Sequence, residues 1–138
     1  GERQKERNFG AVIPIFVGCA LRGEPIKVFG NGKQTRDYVY ISDVIDGYCK
    51  LLDNKELSGE AINFGSGIGT RICDIAEYVA KKLNASVEYT ESRPGEASEM
   101  VADYSKAKRL LGWEPKVEFY GGLDRYIAWR QNQEKNAI

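Results

Sequence analysis

From Ile26 to Ile41 the chain reads Ile-Lys-Val-Phe-Gly-Asn-Gly-Lys-Gln-Thr-Arg-Asp-Tyr-Val-Tyr-Ile. No other stretch limits the fold so tightly. Two runs of alternating apolar residues, Ile26–Phe29 and Tyr38–Ile41, flank Gly30-Asn31-Gly32. Alternation predicts strands and the glycines around Asn31 predict a tight turn, so the stretch reads as a hairpin. Arg36 and Asp37 stand where the second run begins. A solvated ion pair is the simplest reading of them. A guanidinium at a strand end beside a glycine-rich loop can also present its planar fork to a phosphate.

The rest of the chain alternates helix and strand signals. Ala11–Leu21 is apolar nearly all round and predicts a buried helix, with Pro14 admissible only in its first turn. Ser42 is the expected N-cap of a helix whose stripe is Val44, Ile45, Tyr48, Leu51 and Leu52, with Asp43 at the positive end of its dipole. Ala61–Phe64 predicts a short strand, followed by Gly65-Ser66-Gly67-Ile68-Gly69. Thr70 is the expected cap of an amphipathic helix carrying Ile72, Ile75, Ala76, Val79, Ala80 and Leu83, which ends at Asn84 in a left-handed conformation. Ser86–Thr90 predicts a strand, residues 91–100 a loop turning at Pro94-Gly95, and Val101-Ala102 a brief strand. Asp103 or Ser105 caps a short helix ending at Gly112. A last helix is expected from Phe119 to Gln131, with Leu123, Tyr126, Ile127 and Trp129 packing. The 138 residues suit one domain, with 1–10 and 132–138 expected to be loose.

Composition narrows the function classes. With 20 acidic and 20 basic residues there is no basic excess to argue for nucleic acid. No apolar run approaches the ~20 residues of a membrane-spanning helix. The chain has no histidine, which removes histidine general bases and most zinc sites. Cys19, Cys49 and Cys73 are odd in number and lack metal-ligand spacing. They read as reduced residues of a cytoplasmic protein.

Two stretches could touch a nucleotide. Strand, Gly65-x-Gly67-x-Gly69, helix, strand outlines a dinucleotide-binding unit, with Glu88 near the place of a ribose-binding acid. The spacing is one residue short of Gly-x-Gly-x-x-Gly, and a tight turn needs glycines in any case. In the loop Arg93-Pro94-Gly95-Glu96, the arginine could join Arg36 on a diphosphate and the glutamate could accept two ribose hydroxyls. No activated nucleophile is evident in the sequence.

Together the motifs resemble the C-terminal half of the extended short-chain dehydrogenases, the NAD-dependent nucleotide-sugar epimerases and dehydratases typified by UDP-glucose 4-epimerase. The resemblance lies in Val12-Ile13-Pro14-x-Phe16, and in Gly23-x-Pro25-Ile26-x-Val28-Phe29-Gly30-x-Gly32-x-Gln34-x-Arg36-Asp37-Tyr38-Val39-Tyr40-Ile41-x-Asp43-Val44. It continues through Asn63-Phe64-Gly65-Ser66-Gly67, Arg93-Pro94-Gly95-Glu96, Ala102-Asp103-x-Ser105-Lys106-Ala107, Leu111-Gly112-Trp113-x-Pro115 and Gly122-Leu123. It implies an α/β fold with a mixed small sheet and about five helices. It also implies that the N-terminal half, with its cofactor loop and Tyr-x-x-x-Lys, is missing. The start at Gly1, with Met100 the only methionine, agrees with that expectation.

Carried onto this sequence, the resemblance gives Arg36 and Arg93 to the diphosphate and Glu96 to the ribose hydroxyls. The backbone around Lys27 to Phe29 would read the base, with Phe29 beside it. Val12 would line the pocket and Tyr38 would lie near the phosphate or sugar. The glycine loop becomes a structural turn. The implied substrate is a nucleotide sugar, most simply a UDP-sugar. NAD belongs to the missing half, this chain is expected to bind none, and no catalytic residue is expected in it. Self-association or docking on a Rossmann half is the expected assembly. The alternative is a non-catalytic module that binds nucleotide diphosphates or serves association.

Overall fold

The computed structural model describes residues 1–4, 6 and 11–136. Among the described residues, five helices and five short strands make a mixed α/β unit. In chain order these are α1 (Val12–Leu21), β1 (Ile26–Phe29), β2 (Thr35–Asp37), α2 (Ile41–Leu52), β3 (Gly69–Arg71), α3 (Ile72–Leu83), β4 (Val87–Thr90), β5 (Glu99–Met100), α4 (Ser105–Leu111) and α5 (Phe119–Lys135), with a single 3₁₀ turn at Lys55–Leu57.

The strands form two sheets, and neither is a hairpin. β1 pairs in parallel with β4, Ile26 opposite Val87 and Phe29 opposite Thr90. β2 is the middle strand of the other sheet, antiparallel to β3 and parallel to β5. The predicted hairpin is therefore corrected. Gly30 and Gly32 do take positive φ, and Asn31 Oδ1 accepts from the Lys33 amide at 3.0 Å, so the turn exists. Its two arms then join different sheets. Gly32 is needed for a second reason: a Cβ there would lie 2.8 Å from both Cys73 Cβ and Val28 Cγ1.

Tyr38–Tyr40 is a linker that leads into α2, and its two tyrosines both lie against α5. Tyr38 stacks on Phe119 with centroids 5.1 Å apart, and Tyr40 lies against Gly122 of α5.

Helix starts follow backbone more than side chains. α2 begins at Ile41 with Tyr40 as its cap, so Ser42 lies inside it. α3 begins at Ile72, and Thr70 belongs to β3. Its first amides are met by carbonyls instead: Ile72 N donates to Gln34 O at 3.2 Å and Cys73 N to Gly32 O at 2.9 Å. Asn84 ends α3 at φ 55, as its residue type leads one to expect. Ala61–Phe64 forms no strand among the described residues, and the brief strand falls at Glu99–Met100 rather than Val101-Ala102. α5 continues through Lys135, so residues 132–135 are helical rather than loose. The expected loose start falls partly on residues 5 and 7–10, which lie outside the described set, as do residues 137 and 138.

The core joins α1, β1, α3 and α5. Val17, Ile26, Val28, Ile75 and Val79 are fully enclosed, with Tyr126 and Leu123 closing the α5 side. A second anchor fixes α2. Asp43, 4% exposed, accepts from the amides of Lys116 and Val117 at 2.9 Å each. Its carbonyl accepts from the Trp113 indole at 2.8 Å. Two main-chain amides on Oδ2 offset much of the cost of burying this carboxylate.

Candidate functional site

All seven sequence-predicted contact residues, Val12, Lys27, Phe29, Arg36, Tyr38, Arg93 and Glu96, line one cleft of about 830 Å³. They come from α1, β1, β2 with the residue after it, and the loop after β4. The volume falls within the roughly 300–1,000 Å³ of ordinary ligand pockets. Arg36 and Arg93, 57 positions apart in the chain (93 − 36), thus share a cleft.

The two arginines are held differently. Arg36 extends from β2, where Nη1 donates to the carbonyls of Thr35 at 2.8 Å and Ala97 at 2.9 Å. Its Nη2 donates to Glu96 Oε1 at 3.3 Å. The loop from Arg93 to Ala97 is therefore tied to β2 by one guanidinium. Arg93 sits over Phe29, its Cζ 3.7 Å from the ring centroid, a cation–π contact that holds the charge at the cleft wall. Phe29 thus carries Arg93 on its ring, an arrangement that sequence reasoning did not foresee.

Tyr38 forms part of the cleft wall and of a second hollow of about 420 Å³ on its other side. Its hydroxyl is enclosed and has no hydrogen-bond partner among the described residues. Burial pushes this phenol up to about 12. Tyr40 is also pushed up to about 12, first by burial and then by its 2.6 Å bond to Glu2.

Sequence reasoning missed two residues. Asp37, read as the partner of Arg36, turns to the glycine loop. Its carboxylate accepts from the amides of Ser66 at 2.7 Å, Gly67 at 2.9 Å and Ala102 at 3.1 Å. The signal was present in an acidic residue at a strand end and a Gly-Ser-Gly turn rich in unpaired amides. The second is Gln34, whose Nε2 donates to Phe29 O at 3.3 Å and Glu96 Oε2 at 3.4 Å.

The glycine loop does not suit a dinucleotide. A pyrophosphate there would need loop amides at a helix N-terminus. The Ser66 and Gly67 amides are already spent on Asp37, and the loop runs into β3 rather than into a helix. A Cβ on Gly65 would meet Ala102 Cβ at 2.5 Å and Asp37 Oδ2 at 2.7 Å, so this glycine serves close packing.

The sequence model described as GDP-mannose 4,6 dehydratase matches residues 1–126. The chain belongs to this family of NAD-dependent nucleotide-sugar epimerases and dehydratases, within the extended short-chain dehydrogenases. Among curated relatives, UDP-glucuronic acid decarboxylase 3 of Arabidopsis thaliana is 38% identical over 116 residues, covering 83% of this chain and 33% of the relative. A putative UDP-glucose 4-epimerase of Methanocaldococcus jannaschii is 31% identical over 137 residues, covering 98% of this chain and 44% of the relative.

Among solved structures, the Thermotoga maritima UDP-glucose 4-epimerase with UDP-glucose superposes with a TM-score of 0.89 at 32% identity, over 96% of this chain and 43% of that one. The Bacillus cereus UDP-glucuronic acid 4-epimerase, in complex with UDP-glucuronic acid and NAD, gives 0.86 at 32% identity, over 96% and 42%. The chain therefore spans less than half the length of these relatives.

Proposed function

We propose that this chain binds the nucleotide diphosphate of a nucleotide sugar, a UDP-sugar in the first instance, and holds it for an NAD-dependent epimerase or dehydratase reaction. The observation that carries the reading is the cleft common to Arg36, Arg93 and Glu96. A diphosphate carries two or more negative charges, and two fixed guanidiniums answer them without engaging the reactive sugar. Glu96 supplies acceptors for ribose hydroxyls, and the β1 backbone from Lys27 to Phe29 runs along the cleft where a base would lie. Val12 and the Tyr38 ring supply apolar wall.

The hydride chemistry belongs to an NAD-bearing half. We assign its docking surface to the exposed face of α2. Ile41, Ile45, Tyr48 and Leu52 are 44%, 54%, 60% and 79% exposed on one stripe. Beside them, Phe64 of the unpaired segment Ala61–Phe64 packs 6.1 Å from Tyr48. The occupant is the part of such an enzyme that this chain does not span.

Calorimetric titration with UDP tests the binding reading. Micromolar affinity is expected. Arg36→Ala and Arg93→Ala should each weaken it by about 10- to 100-fold, as loss of a charge-assisted bond of roughly 1.5–3 kcal/mol implies. Absence of binding to UDP, dTDP and GDP alike contradicts the proposal and favours a purely associative role.

A further inference from the structure

Glu96 is held by both of its oxygens. Oε1 accepts from Arg36 Nη2 at 3.3 Å and Oε2 from Gln34 Nε2 at 3.4 Å. Each donor is itself fixed. Arg36 is bound to the Thr35 and Ala97 carbonyls. The Gln34 side chain reaches the Phe29 carbonyl, and its own main-chain carbonyl receives the Ile72 amide at 3.2 Å. An ionised carboxylate has about four lone-pair sites. Two are occupied here, one on each oxygen, which leaves one on each oxygen for a ligand. Two acceptors in one plane suit two adjacent hydroxyls.

We propose that Gln34 is a positioning residue that makes this cleft select a ribose over a 2′-deoxyribose, by stopping the Glu96 carboxylate from pivoting about its bond to Arg36. The inference rests on the nucleotide-diphosphate reading above. It adds a sugar preference and assigns that preference to a cleft-lining residue that acts by holding Glu96. Arg36 alone fixes one oxygen. Without Gln34 the second oxygen is free to swing away, and the paired geometry that a vicinal diol needs is lost.

The test compares UDP with 2′-deoxy-UDP by calorimetry on the wild-type chain and on Gln34→Met, which keeps the side chain's length and removes its donor. Wild type should prefer UDP by about tenfold, the worth of one hydrogen bond to a charged group. In Gln34→Met that preference should fall below about threefold, with 2′-deoxy-UDP affinity changed by less than about twofold. Gln34→Glu, which sets a second carboxylate against Glu96, should erase the preference as well. Should Gln34→Met not fold, this variant decides the matter.

An undiminished preference in the variants overturns the proposal. Equal weakening toward both nucleotides also overturns it, since that is the mark of a structural role. A wild type that binds both nucleotides equally overturns it too. A wild type that binds neither sinks the nucleotide reading itself, and this proposal with it.

Discussion

The Asp37 carboxylate accepts from three main-chain amides on two separate segments. Each lost bond to a charged acceptor is worth roughly 1.5–3 kcal/mol when buried and less where water can substitute. Asp37→Ala should therefore lower the unfolding free energy by about 2–4 kcal/mol in urea denaturation; a loss below about 0.5 kcal/mol would show that the amides find other partners. Tyr38 is the opposite case. Its enclosed hydroxyl has no partner among the described residues, and an unmet buried group of this kind costs about 1–3 kcal/mol. Tyr38→Phe should raise the thermal midpoint of the ligand-free chain, and a clear fall would mean that the hydroxyl is bonded after all.

The raised Tyr38 and Tyr40 phenols carry a pH dependence of defined sign. Both titrate near 12 in the folded chain, against about 10 unfolded. Between these values the folded state holds more protons, so stability falls as pH rises from 10 to 12. Tyr38→Phe should make that fall shallower in thermal melts.

At the level of elements, α2 depends on one side chain. Asp43 ties it to the segment before α5 through the Lys116 and Val117 amides, and Gly47 lets Phe64 approach, since a Cβ there would sit 2.7 Å from Phe64 Cε1. Asp43→Ala should cost about 3–5 kcal/mol in chemical unfolding, and a near-neutral result would remove Asp43 from the account of the fold.

The same elements mark what the sequence could tell. α3 was readable nearly to the residue, because its stripe is amphipathic and Asn84 supplies a left-handed stop. β1 and β4 were readable as strands, but their pairing was not. Ile26 meets Val87 across some sixty residues, and local alternation carries no information about such a partner. The caps expected at Ser42 and Thr70 were misplaced for a related reason. Carbonyls of Gly32 and Gln34 serve the start of α3, and backbone donors and acceptors have no residue type to betray them. In the cleft, the charged residues could be named from family likeness. The Arg93–Phe29 stacking and the turn of Asp37 toward the glycine loop could not, because both depend on how two sheets meet.

For the whole molecule, the unpartnered α2 stripe predicts concentration-dependent self-association of the chain alone. Four large apolar residues exposed side by side are the kind of patch that marks an interaction surface. Ile45→Lys with Leu52→Lys should return a monomer in sedimentation velocity while leaving UDP affinity unchanged, because neither residue lines the cleft. A strictly monomeric wild type at high concentration would contradict the assignment of that face. The account as a whole turns on one diphosphate bridging two guanidiniums, and a crystal structure of the chain grown with UDP examines it directly. The account predicts phosphate oxygens within about 3 Å of both Arg36 and Arg93, with the ribose turned to Glu96. A nucleotide bound elsewhere, or one gripped by neither arginine, would contradict it.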